Sequence, residues 1–144
     1  MRRRLLDTQR LIAHWKRRRE GRPEATIRVE EAKKWAQELI AFRKTDAIAT
    51  PVRVEFLAGV HNPDDLLLAR AYLADFRVVD DGMTTAETWE EAERLASWAR
   101  GAPRKLGDCL IFAIASILGY EVDSEDSDFV RMRSGPQPQR KRRR

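Results

Sequence analysis

Leu5-Leu6-Asp7-Thr8-Gln9-Arg10-Leu11-Ile12-Ala13-His14-Trp15 reads as a short strand that runs through one acid straight into a helix. Leu5-Leu6 supplies the strand, and Leu11, Ile12 and Trp15 recur at helical spacing from Thr8 to about Arg19. An Asp at such a junction is ordinarily an N-cap, its carboxylate accepting the orphan N–H groups of the first turn. The same strand-then-helix grammar repeats along the chain, and that repetition sets the fold class.

Gly21-Arg22-Pro23 breaks the first helix. Val29, Ala32, Ala36, Leu39 and Ile40 then line one face of an amphipathic helix to about Lys44, with Trp35 beside the stripe. Ala47-Ile48-Ala49 is a short apolar strand, closed by Thr50-Pro51 with the N-cap and first-turn proline signature of a new helix that carries Glu55 in its second turn. Asn62-Pro63-Asp64-Asp65 repeats that start for a helix of about 63–75, its two acids suiting the positive helix end. Arg77-Val78-Val79 is a third strand. Thr84 with Glu87 forms a capping box for a helix to about Arg100. Gly101-Ala102-Pro103 ends it, an apolar helix spans 105–118 with Gly119 as its stop, and Glu121-Val122-Asp123 is a last, polar strand. Strands alternating with helices predict an α/β fold with a mostly parallel sheet covered by helices.

With 144 residues, 42% of them hydrophobic, the chain has the size of one compact domain. The expected organisation is a domain over 1–130 and a tail over 131–144. The tail contains Ser134-Gly135-Pro136-Gln137-Pro138-Gln139 followed by Arg140-Lys141-Arg142-Arg143-Arg144, cannot bury apolar surface, and is expected to be disordered. The net charge of +5 conceals an asymmetry: residues 131–144 hold seven basic side chains and no acid, residues 1–22 hold nine against two, and the middle of the chain is acidic. Basic ends of this kind attract a phosphate backbone. The lone Cys109 cannot form an internal disulfide and begins an apolar run to Leu118 that is about half the roughly 20 residues a membrane span needs. Only two leucines follow Arg2-Arg3-Arg4 before Asp7, so the expected localisation is cytoplasmic with no membrane partner.

Four acids fall at element junctions beside apolar segments: Asp7, Glu55, Asp108 and Asp126. In an open α/β sheet, ligands bind at the carboxyl ends of the strands, where the loops leading into helices gather. That rule places all four on one rim. Gathered carboxylates repel and must be neutralised, and oxygen-only ligands without a histidine or cysteine cluster favour Mg²⁺ or Mn²⁺. A carboxylate-held divalent ion suits phosphodiester hydrolysis. Read one at a time, Asp7 and Asp108 are also explained as N-terminal helix acids and Glu55 as a surface residue.

At these same positions the chain resembles the PIN-domain family, in particular VapC-like ribonuclease toxins of type II toxin–antitoxin systems, over about residues 4–130. Leu5-Leu6-Asp7-Thr8 with Leu11-Ile12 is similar to that family's first motif, Thr50 through Gly59 with Glu55 to its second, Leu106-Gly107-Asp108-Cys109-Leu110-Ile111 to its third, and Ser124-Glu125-Asp126-Ser127-Asp128-Phe129 to its fourth. The resemblance implies a three-layer α/β/α fold and Mg²⁺- or Mn²⁺-dependent endoribonuclease activity. By it, Asp7, Glu55, Asp108 and Asp126 would be catalytic metal ligands, and Thr8 and Ser124 their hydroxyl supporters. It also implies a homodimer and a cognate antitoxin protein. Three features depart from the pattern: Gln9 stands where Asn or Ser is common, Asp123 takes a normally apolar strand position and can add a carboxylate to the rim, and the tail is longer than the fold needs.

The run Lys16-Arg17-Arg18-Arg19, at the far end of the helix that starts at the site, is the expected RNA contact; its cations would equally suit the helix dipole. His14 and His61 read as ordinary helix and loop residues. Trp15, Trp35, Trp89 and Trp98 read as core or dimer contacts. Two alternatives to a ribonuclease stay open: a catalytically impaired PIN-like RNA-binding module, and a metal-dependent DNA nuclease.

Overall fold

The computed structural model describes residues 3–23, 26–98 and 105–124. The chain runs β1 (Arg3–Leu6), α1 (Thr8–Arg19), α2 (Val29–Arg43), β2 (Ala47–Ile48), α3 (Thr50–Ala58), α4 (Pro63–Leu73), β3 (Arg77–Val78), α5 (Ala86–Trp98), α6 (Leu106–Leu118) and β4 (Tyr120–Asp123). It is an α/β fold, mostly helical around a small parallel sheet, and fits a three-layer α/β/α arrangement. Asp126 and the basic tail lie outside the described residues. Among the described residues, no helix is long and apolar enough to cross a membrane.

The parallel sheet is built of two short pairs. β1 pairs with β4, Leu5 opposite Val122 and Leu6 opposite Asp123, while β2 pairs with β3, Ile48 opposite Val78. β1 lies beside β2, where Thr45 Oγ1 donates to the Arg4 carbonyl at 2.7 Å. Strands of two to four residues offer few ladder bonds, so burial does most of the ordering. Leu5, Leu6, Ile48, Val52, Ile111 and Ile114 are all but inaccessible to solvent.

Beside the sheet stands an aromatic cluster. Trp15 of α1 meets Trp35 of α2 and Phe56 of α3 edge-on at 5.8 and 5.7 Å, and Tyr72 of α4 stacks on Phe56 at 5.5 Å. Offset and edge-to-face pairs of this kind add to the area they bury. Trp15 and Trp35 are thus core residues as expected, whereas Trp89 is exposed on α5.

Two helix starts differ from expectation by one residue. The cap of α3 is Ala49, with Thr50 and Pro51 already helical. Thr50 N–H and Oγ1–H both donate to Asp80 Oδ1, at 2.9 and 3.0 Å. A carboxylate from the end of β3 therefore does the work expected of the threonine. At α5 the Thr88 N–H bonds to Thr85 Oγ1, so Thr85 rather than Thr84 heads the helix. α4 starts as expected, Asn62 Oδ1 accepting from Asp65 N–H. Asp65 also pairs with Arg19 at 2.9 Å, a tertiary contact beyond the dipole role read from sequence.

Candidate functional site

The end of β1 delivers Asp7 to the rim. Asp7 is 1% exposed, and its Oδ1 accepts the Arg10 N–H at 3.1 Å. The N-cap reading of Asp7 is therefore correct, and the positive end of α1 offsets part of the cost of burying its charge. Next to it, Thr8 is buried at the head of α1 and donates its hydroxyl to Glu55 Oε1 in a short hydrogen bond.

Glu55 reaches this point because Val52 and Phe56 bury one face of α3, which leaves 55 on the adjoining flank. Its carboxylate lies against the backbone of Gly107 in the first turn of α6. A β-carbon at 107 would stand 2.9 Å from Glu55 Cδ and closer still to Oε2. Only glycine leaves this space. Asp108 follows directly, in the first turn of α6, where the apolar run Cys109 to Ala115 anchors the helix in the core.

The result is a pocket of about 230 Å³ whose polar lining is Asp7, Thr8, Gln9, Glu55, Lys105 and Asp108. Three of the four acids singled out from sequence line it. Among the described residues, no group of three acidic, histidine or cysteine side chains is drawn together as a metal-holding set. Ser124, buried just after β4, is not part of the lining, and Asp126 lies outside the described residues.

Asp123, whose position allowed it to add a carboxylate to the rim, does not line the pocket. It is buried and turned toward arginines: Arg4 Nη1 at 3.0 Å, Arg10 Nε at 3.1 Å and Arg43 Nη1 at 3.8 Å. The polar strand position is explained by this cationic cage, since a buried carboxylate persists only when its charge is matched.

Lys105, the N-cap residue of α6, was not singled out by sequence reasoning. A lysine three residues ahead of an acid carries no distinctive signal, and only the fold shows that it borders the pocket.

The PIN-domain family model matches residues 4–134 of the chain. The chain belongs to the PIN-domain family. No curated protein and no solved structure matches it. PIN domains are generally nucleases that depend on a divalent metal ion, and this chain carries that nuclease fold.

The residues of this PIN domain fit such an ion. The acids and the threonine lining the pocket offer carboxylate and hydroxyl oxygens, the hard set that Mg²⁺ and Mn²⁺ prefer, and the space kept open at Gly107 seats the Glu55 carboxylate against the backbone of the residue that precedes Asp108. Of the basic run in α1, Arg17 and Arg18 face a groove between α1 and α2, Lys16 is exposed, and Arg19 is tied to Asp65 and lies over the Trp15 ring.

His14 belongs to a network behind that groove. Nδ1 lies 2.7 Å from Tyr72 Oη and Nε2 3.2 Å from Glu38 Oε1, so one tautomer, Nε2–H donating and Nδ1 accepting from Tyr72 O–H, satisfies both. Burial holds the His14 pKa below its usual value, and burial pushes the Tyr72 hydroxyl well up. Burial also pushes Glu38 up, but its bonds to Arg18 and His14 outweigh this and bring it below the usual carboxylate value.

Proposed function

We propose that this PIN domain is an endoribonuclease that hydrolyses RNA phosphodiester bonds and serves as the toxin of a toxin–antitoxin pair. The observation that carries the reading is the convergence of Asp7, Glu55 and Asp108, with Thr8, on one pocket at the rim of the parallel sheet.

Asp7, Glu55 and Asp108 would hold Mg²⁺ or Mn²⁺, with Asp126 a fourth ligand and Ser124 a supporter near it. The ion, when bound, supplies an acidified water and charge stabilisation on the phosphate. Asp7 is held for this task by burial and its helix-capping bond, so little reorganisation is needed when substrate arrives. The Thr8 hydroxyl fixes one oxygen of Glu55, and the Gly107 backbone sets how far that carboxylate can advance. Lys105 places a cation beside the pocket, suited to a non-bridging phosphate oxygen. A homodimer and an antitoxin complete the reading, and the exposed Val54, Leu67, Met83 and Trp89 are apolar surface for such partners to cover.

The test is cleavage of matched single-stranded RNA and DNA oligonucleotides by the full-length protein, with Mn²⁺ and with chelator. RNA cleavage that chelator abolishes, and that a folded Asp108→Asn protein lacks, is expected. Cleavage by folded Asp108→Asn at the wild-type rate would overturn the site, and preferential cleavage of DNA would overturn the substrate.

A further inference from the structure

A second, larger concavity of about 890 Å³ lies between α1 and α2, and Gln9 lines both it and the acid pocket. The groove therefore starts where the acidic site ends. On the α1 side Arg10, His14 and Arg17 fall at spacings of four and three and share one face of the helix. From Gln9 to Arg17 this face extends roughly 12 Å at 1.5 Å per residue, the length of a short run of extended nucleotides.

The groove is cationic. Four arginines, Arg10, Arg17, Arg18 and Arg43, line it; Arg18 engages Glu38, the one acid of the lining, and Arg10 and Arg43 share the buried Asp123 carboxylate with Arg4, so the wall keeps an excess of positive charge. Among the described residues, Arg17 has no carboxylate partner. On the α2 side Phe42 is 73% exposed, and the Arg43 guanidinium lies 5.1 Å from its ring centre. A lone exposed phenylalanine carries no message. One flanked by arginines on the wall of a cationic groove offers what single-stranded nucleic acid binds: a face on which a base stacks, and cations for the phosphates beside it.

We infer that this groove holds the single-stranded RNA flanking the scissile bond, with Arg17 on a backbone phosphate and the Phe42 ring, backed by Arg43, under an unpaired base. This rests on the nuclease reading above and adds to it the residues that seat the strand outside the acid pocket; a base within a duplex is not free to stack on Phe42.

The experiment is fluorescence anisotropy of a labelled oligouridine with the full-length protein in chelator, where cleavage plays no part, followed by Mn²⁺-dependent cleavage of the same RNA. Both test positions are exposed, so the fold is expected to survive substitution, and circular dichroism checks it. Phe42→Ala should weaken binding about tenfold and Phe42→Trp should restore it. Arg17→Ala should lower the slope of log affinity against log salt by about 0.7. In the cleavage arm Phe42→Ala should raise KM and leave kcat unchanged.

Wild-type protein that binds RNA through these residues but never cleaves it would refute the nuclease reading and retain the groove. Cleavage by wild type with unchanged affinity and KM in both variants would refute the groove and retain the nuclease. Duplex RNA binding as tightly as single-stranded RNA would also overturn the inference, as would a polyglutamate peptide binding where oligouridine does not.

Discussion

Gly107 and Glu55 are in direct contact: the Glu55 carboxylate occupies the space that any side chain at 107 would fill. The contact joins α3 to α6 at the point where both deliver an acid to the pocket. Gly107→Ala would remove a glycine from a helix, worth roughly 1 kcal/mol in favour of alanine. It would also displace the flexible end of Glu55, which Thr8 now holds. The expected outcome is a melting temperature close to wild type with nuclease activity reduced tenfold or more, read by thermal denaturation and RNA cleavage on the same preparation.

Asp123→Asn should damage stability and spare the metal pocket. The asparagine keeps the shape but leaves Arg4, Arg10 and Arg43 facing one another without the shared negative charge. Removing one partner of a buried ion cluster costs about 3 kcal/mol at the lower end of the usual range, the appropriate end here because these arginines keep some solvent. For a domain of this size that corresponds to a fall of roughly 6–12 °C in melting temperature. Mn²⁺ affinity below that temperature should stay at the wild-type value.

The pH dependence of stability should carry a His14 signature. Because the folded pKa lies below the ordinary 6.5, the unfolded chain takes up a proton that the folded chain refuses. The contribution is complete above pH 6.5 and declines as pH falls below it, by at most about 1.4 kcal/mol per pH unit. Glu38, Arg18, Arg17 and Tyr72 are the charged and titratable groups around the ring. With its pKa lowered, Glu38 loses its own stabilisation only in more acidic solution, so a window from pH 7 to 5 isolates the histidine. His14→Gln should unfold at lower temperature throughout and show a flatter profile across that window.

The strand-to-helix junction at Asp7 is legible because its signals are local: two leucines, an acid and a helical repeat within a dozen residues. Asp108 is legible as an acid at a helix start and Glu55 as one in a second turn, but the contact of Glu55 with Gly107 is not, because it joins segments that meet only in the folded chain. The arginine cage of Asp123 draws on β1, α1 and α2 together, which is why the sequence alone leaves the role of that acid open. The helix-start shifts at Thr50 and Thr84 have a simpler origin. Where two hydroxyl residues or a remote carboxylate can serve the same N–H, the tertiary partner decides, and Asp80 is such a partner at α3.

Calorimetric titration of Mn²⁺ into the full-length protein and its Asp108→Asn variant tests the metal site most directly, free of any assumption about substrate. Saturable binding to wild type is predicted, weakened by about tenfold or more in the variant at an unchanged melting temperature. Equal affinity for the two folded proteins, or no binding to folded wild type, would contradict the assignment of Asp7, Glu55 and Asp108 as the residues that hold the ion.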